Sequence, residues 1–165
     1  MLKFLYSLLY LIVLGILAFP FGRILALKRW NPYAFPFKEY SWEDGGKLYE
    51  RALKIKAWKT RVPDVSKAVP WIVPKKTISM LSGDRLDLMI QETCVAELTH
   101  LILCPLSVPV ICIMDNIGGV VLFTLDVIFG NLSFVVIQRY NRFRYLRTRR
   151  KIESINSECK YRNRS

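Results

Sequence analysis

Two apolar runs joined by a tight turn constrain this chain more than any other stretch. The first is LILCPLSVPVICIM, from Leu101 to Met114; the second extends from Ile117 to Ile137. Between them stand Asp115-Asn116 and then Gly118-Gly119. An apolar helix of about 20 residues, rising about 1.5 Å per residue, crosses a hydrocarbon core of roughly 30 Å. The second run meets that length, and the first reaches it if its helix starts near Glu97. Asp, Asn and paired glycines between apolar runs signal a turn, so the two spans are expected to be antiparallel. The chain then leaves the membrane on the side where it entered. Glu97 and His100 come close to Gln138, Arg139 and Arg142.

Leu2 to Phe21 forms a third apolar run long enough to cross. The expected spans are therefore about 2–21, 98–114 and 117–137. A signal-peptide n-region would hold only Lys3, whereas Arg23, Lys28 and Arg29 follow the run, which fits a retained anchor better than a cleaved signal peptide. Hydrophobic residues make up 52% of the 165 and are gathered in runs, as in membrane proteins. The net charge of +12 lies outside those runs, with no Lys or Arg between Arg85 and Arg139. By the positive-inside rule, segment 22–97 and the basic tail 138–165 are expected in the cytoplasm, with the Asp115-Asn116 turn outside. Anionic lipid head groups account for such charge, and nucleic acid is not an expected partner. The fold class that follows is all-α, one multi-pass unit over 1–165 in the cell membrane, with about three transmembrane helices and a cytoplasmic interfacial helical segment.

Four cysteines without CxxC spacing support neither a disulfide framework nor a metal site. No P-loop, GxGxxG turn, GxSxG elbow or HExxH helix is present.

In the segment between the first two spans, Arg23 to Tyr40 is rich in Pro and aromatics, ending in RWNPYAFPFKEY. Pro32 and Pro36 disfavour helix, and the aromatics suit an interfacial belt: a loop against head groups, or a lip for a lipid substrate. Ser41–Lys59 is expected as one basic amphipathic helix with Ser41 as N-cap and Glu43 and Asp44 in its first turn. A turn follows at Pro63-Asp64, and Pro70 and Pro74 keep the next stretch irregular. Ser82-Gly83-Asp84 opens the helix that carries Leu86, Met89, Ile90, Thr93, Glu97 and His100 toward the membrane. The tail after Arg144 is expected to be solvated or lipid-bound disorder.

His100 is the only histidine. Glu97 precedes it by three residues on the same helix face. A carboxylate there orients an imidazole and stabilises its protonated form, as a general base requires; the alternative is a merely hydrogen-bonded ring. Equal rises from the turn set His100 level with Asn131 and Thr93 level with Gln138. Asn131, Gln138 and Arg142 share a face. An amide at membrane depth needs a partner, so a bond between Asn131 and His100 is geometrically available, subject to the kinks at Pro105 and Pro109. Arg139, Arg142 and Arg144 flank Tyr140 and Asn141, either as a stop signal or as forks for phosphate or carboxylate. Asp126 lies about 140° from the Asn131 face of a regular helix and is left outside the site. It is expected to pair with Tyr6, Ser7 or Tyr10, or to be protonated.

Several motifs, read together, carry a family likeness. They are W-E-x-x-G-K (Trp42 to Lys47), Trp58-Lys59 with Asp64, E-T-x-x-A-E-x-x-H (Glu92 to His100), Asn131, and Q-R-Y-N-R-x-R (Gln138 to Arg144). From about Pro36 to Arg144 the chain resembles the glycosyl-4,4'-diaponeurosporenoate acyltransferases, with Trp42 where that family more often has Phe and Phe143 where Pro also occurs. The resemblance implies a small membrane enzyme that places a fatty acyl chain on the sugar of a glycosylated carotenoid, the last step of staphyloxanthin synthesis. The implied acceptor is a membrane glycolipid; the donor is acyl-CoA or an acyl-carrier protein, with no bound cofactor. The HxxxxD signature of glycerolipid acyltransferases is absent, because Cys104 and Pro105 follow His100 at that distance. In this scheme His100 is the base and Glu97 its orienter. Gln138 and Asn141 contact the acceptor or the tetrahedral intermediate, and Arg139 and Arg142 hold the donor's phosphates. Asn131, Tyr140, Trp58 and Glu92 complete the substrate-binding set. The competing reading is a non-enzymatic membrane adaptor or lipid-binding protein with a basic cytoplasmic surface.

Overall fold

The computed structural model describes residues 1–59 and 83–162. The turn expected at Pro63-Asp64 and the irregular stretch at Pro70 and Pro74 fall outside them. Every regular element among the described residues is helical, and three stretches are long and apolar enough to cross a membrane: Leu2–Leu25, Gly83–Met114 and Ile117–Ser157.

Helix α1 (Leu2–Leu25) is apolar all round, as a helix bathed in lipid must be. Its covered stripe runs Ser7, Leu11, Leu14, Ala18 and Gly22, the spacing of a helix–helix seam. That stripe packs on α4 (Gly83–Leu106) and α5 (Pro109–Met114). The Tyr10 hydroxyl donates to the Leu106 carbonyl across 2.7 Å.

The first arm of the hairpin breaks between α4 and α5 at Ser107-Val108. Pro109 has no N–H to continue the ladder, so the expected kink becomes an interruption. At the turn, Asp115 takes left-handed backbone (φ 51°), and the Asn116 side chain accepts from the Gly118 N–H at 2.8 Å. The second arm is α6 (Ile117–Leu125), a π-helical stretch (Asp126–Leu132) and α7 (Ser133–Arg162). The antiparallel hairpin is as expected, except for its π stretch.

Two other stretches differ from expectation. Ser41–Lys59 is not one helix but a 3-10 turn (Ser41–Gly46), α2 (Lys47–Arg51) and α3 (Ile55–Trp58). Left-handed backbone at Asp44, Gly45, Gly46 and Lys54 divides it. The break is fixed by tertiary contact: Gly46 lies so close to α7 that a Cβ would sit 3.1 Å from the Phe143 ring. The cap is Tyr40 rather than Ser41, with its N–H held by Glu43 at 2.7 Å. The tail, in turn, continues α7 to Arg162. Tyr145 and Leu146 bury against Leu86, Met89 and Ile90 of α4, joined by Ile152, and Arg149 reaches Asp87 at 2.9 Å. Each fully buried apolar side chain of this kind contributes roughly 1.5–3 kcal/mol, enough to hold an otherwise polar helix.

A second cluster of Tyr49, Ile55, Ile137, Tyr140 and Phe143, with Trp58 against it, seats α2 and α3 on α7. Gln91 of α4 makes two 2.7 Å bonds to the Trp30 backbone, fastening the chain after α1.

Candidate active site

The polar residues singled out by sequence fall into two groups. At the outer group, Arg139 of α7 meets Glu43 in a two-bond fork, Nε to Oε1 at 2.7 Å and Nη2 to Oε2 at 2.9 Å. Its Nη1 donates to Glu97 at 2.6 Å and to the Pro36 carbonyl at 3.0 Å, and Nη2 also donates to the Lys38 carbonyl at 2.9 Å. All five guanidinium donors are thereby taken. Glu43 also accepts from the Tyr40 N–H and the Tyr49 hydroxyl. Arg142 faces the other Glu97 oxygen at 2.5 Å, an ion pair without hydrogen-bond alignment, and donates to the Phe37 carbonyl at 3.1 Å. Glu43, Glu97, Arg139 and Arg142 are all buried, and their charges cancel.

Burial alone would raise the Glu43 pKa, but the bonds from Arg139, Tyr49 and the Tyr40 N–H outweigh it and hold the carboxyl below the usual range. Burial and the Glu43 carboxylate both push the Tyr49 hydroxyl up.

Glu97 therefore does not orient His100, because both its oxygens are committed to arginines. Nor do Arg139 and Arg142 face outward to hold phosphates; both are enclosed by protein. The expectation failed because a carboxylate three residues away on a helix competes for the nearest charge, and two arginines are nearer.

The inner group lies one turn deeper. His100 Nδ1 is 3.1 Å from Asn131 Oδ1, as the equal-rise count allowed. Asn131 Nδ2 donates to Asp126 Oδ2 at 3.0 Å, and Ser107 Oγ donates to the same oxygen at 2.6 Å. Asp126 thus belongs to this group and does not pair with α1. The sequence reckoning assumed α geometry; the π-helical stretch sets residues five apart on one face, which brings Asp126 under Asn131. The His100 ring stacks on Phe134, with centroids 4.6 Å apart. His100, Asn131, Asp126 and Ser107 line a cavity of about 160 Å³ whose opposite wall is Leu11, Leu14, Gly15 and Ala18 of α1.

Because the Asn131 amine is directed at a carboxylate, its oxygen must face the ring. Nδ1 then carries the proton and Nε2 keeps a lone pair. Nε2 makes no hydrogen bond among the described residues. His100 is thus an imidazole on the wall of a cavity, with one ring nitrogen uncommitted.

The remaining expected residues scatter. Gln138 and Asn141 make no side-chain hydrogen bond among the described residues, although Asn141 is buried. The Tyr140 hydroxyl donates to Glu50 at 2.7 Å. Trp58 donates to the Leu53 carbonyl at 2.7 Å and packs in the α7 cluster, away from His100. Glu92 lies two turns before His100 on α4. Sequence reasoning passed over Glu43, Ser107, Asp126 and Phe134. A signal existed for two of them: Glu43 sits in the W-E-x-x-G-K motif, and Asp126 is an acid inside an apolar span.

Three comparisons with known proteins bear on the chain. The family model described as Glycosyl-4,4'-diaponeurosporenoate acyltransferase matches residues 34–151. A protein of that name from Staphylococcus aureus (strain MRSA252) is 29% identical over 109 residues, 64% of this chain and 63% of that protein. One from Staphylococcus haemolyticus (strain JCSC1435) is 32% identical over 108 residues, 64% of this chain and 61% of that protein. The matched region is thus under two thirds of the length of these relatives. No solved structure matches.

Proposed function

Because this chain belongs to the glycosyl-4,4'-diaponeurosporenoate acyltransferase family, we propose that it moves a fatty acyl group onto a sugar hydroxyl of a membrane glycolipid, such as a glycosylated carotenoid carboxylate. The reaction takes place at the cytoplasmic face of the cell membrane, with acyl-CoA or an acyl-carrier protein as donor. The observation that carries this reading is the His100 Nδ1 to Asn131 Oδ1 contact, which leaves Nε2 as a base beside a cavity at membrane depth. Nε2 takes the proton from the sugar hydroxyl as its oxygen attacks the acyl thioester carbonyl. The carrier thiolate then leaves and receives that proton from the imidazolium. Gln138 and Asn141, two to three turns along α7 from Asn131, have unfilled amides suited to the acceptor's sugar rather than to the oxyanion at His100.

The arginine roles are redistributed. Arg139, Arg142, Glu43 and Glu97 set the angle at which α4 and α7 enter the membrane. The donor's phosphates meet a stripe on α7, Arg144, Arg147 and Lys151, which continues the Tyr140 face of the helix and is at least partly exposed.

One observation favours the second reading, a membrane adaptor. Q-R-Y-N-R contributes arginines whose donors serve the protein itself. The separating experiment is mass spectrometry of lipids from cells with and without the protein. An O-acylated glycolipid that disappears with it supports the transferase; an unchanged lipid profile supports the adaptor.

A further inference from the structure

Three costly features meet at one point between the last two spans. The second hairpin arm leaves α geometry over Asp126–Leu132, the first arm is interrupted at Ser107-Val108, and a carboxylate lies among apolar helices. An acidic side chain at such depth is expensive unless it is hydrogen-bonded. All three are accounted for by what Asp126 touches. The π stretch brings its Oδ2 to Asn131 Nδ2, and the interruption presents Ser107 Oγ to the same atom. Gly130 keeps the place open, since a Cβ there would sit 3.0 Å from Asp126 Oδ1.

We propose that Asp126 is a positioning residue for His100, acting through Asn131. By accepting from the Asn131 amine it fixes the amide oxygen toward the ring, which keeps the proton on Nδ1 and the lone pair on Nε2. Without Asp126 the amide is free to turn over. Its amine would then donate to Nδ1, the ring would carry its proton on Nε2, and that nitrogen could no longer accept one from a substrate hydroxyl. The proposal rests on the reading of His100 as the base. A merely structural Asp126, tying the two irregular helices together, would leave the ring tautomer unaffected.

His100 is the only histidine, so ¹⁵N-histidine labelling of the full chain in lipid nanodiscs gives one pair of ring-nitrogen signals. With the ring neutral, wild type should have a protonated Nδ1 and an unprotonated Nε2. Asp126→Leu should mix or invert that pattern. In acyl transfer from labelled acyl-CoA to a glycosylated carotenoid it should lower kcat roughly 10–100-fold, the size usual for a group that orients an active one, with KM little changed. Asp126→Asn keeps an acceptor oxygen and should recover the wild-type tautomer and most of kcat. A wild-type ring protonated on Nε2 overturns the proposal, and that spectrum decides even if Asp126→Leu does not fold. So does an Asp126→Leu protein with tautomer and kcat unchanged. If the tautomer follows Asp126 but His100→Ala transfers normally, the relay stands and the base reading falls. If His100→Ala abolishes transfer while Asp126→Leu keeps the tautomer, the relay falls and the base reading stands.

Discussion

The outer and inner polar groups sit one helical turn apart on α4, yet they are built on opposite terms. Around Arg139 every donor has an acceptor within the protein, and the charges of Glu43, Glu97, Arg139 and Arg142 cancel. Around His100 the chain of bonds runs from Ser107 and Asp126 through Asn131 and stops at Nδ1, leaving Nε2 beside a cavity. The outer group is enclosed and its charges are paired, with Arg142 Nε and Nη1 and Glu97 Oε2 left without hydrogen bonds, and it acts on geometry. A group that ends on an uncommitted ring nitrogen beside a cavity is open to chemistry. The difference teaches that charge density is a poor guide here: the group with four charges is paired within the protein, and the group with one acid and one imidazole keeps an uncommitted ring nitrogen.

Substitutions can separate the two. The largest effect on stability should come from Glu97→Leu, which leaves Arg139 and Arg142 buried with one carboxylate fewer. Stranding a buried charge costs about 3–5 kcal/mol, so thermal unfolding in detergent should move down by many degrees. His100→Ala should melt close to wild type. A Glu97→Leu protein as stable as wild type would mean that the outer group is not the frame.

Gly46→Ala should cost about 1–3 kcal/mol by the same measurement, because it places a Cβ in left-handed backbone against Phe143. Acid sharpens the comparison further. The folded pKa of Glu43 lies below its unfolded value, so its stabilisation is complete above the unfolded value and is lost as pH falls through the folded one. Wild type should weaken as pH drops below about 4.3, and Glu43→Gln should show a shallower pH slope through that range. Equal slopes would remove Glu43 as a charged strut. The smallest effect belongs to the exposed pair of Lys47 and Asp44, 3.1 Å apart. Lys47→Ala should change stability by about 0–1 kcal/mol.

The hairpin was legible because bilayer thickness dictates run length and Asp115-Asn116 dictates a turn. The level of His100 and Asn131 was legible for the same reason: two straight helices from a common turn rise equally. What escaped had non-local causes. The segment Ser41–Lys59 carries helix-compatible residues, but the pull of Arg139 on Glu43 and of Phe143 on Gly46 bends it into short turns. The tail reads as polar, yet Tyr145, Leu146 and Ile152 suffice to lay it along α4. Asp126 was missed because a π stretch changes the angle between residues five apart, and nothing in the local composition of DVIFGNL announces that change. Glu97 was assigned to His100 by proximity in sequence, whereas the contest among charges was decided by residues about 40 positions away.

The most direct test of the division between frame and site uses the purified chain in nanodiscs, with labelled acyl donor and glycosylated carotenoid acceptor. His100→Ala, with melting unchanged, should lose transfer by about 10²–10⁴-fold, the range of acid–base catalysis. Transfer by His100→Ala at the wild-type rate would contradict the assignment of the inner group as the active site.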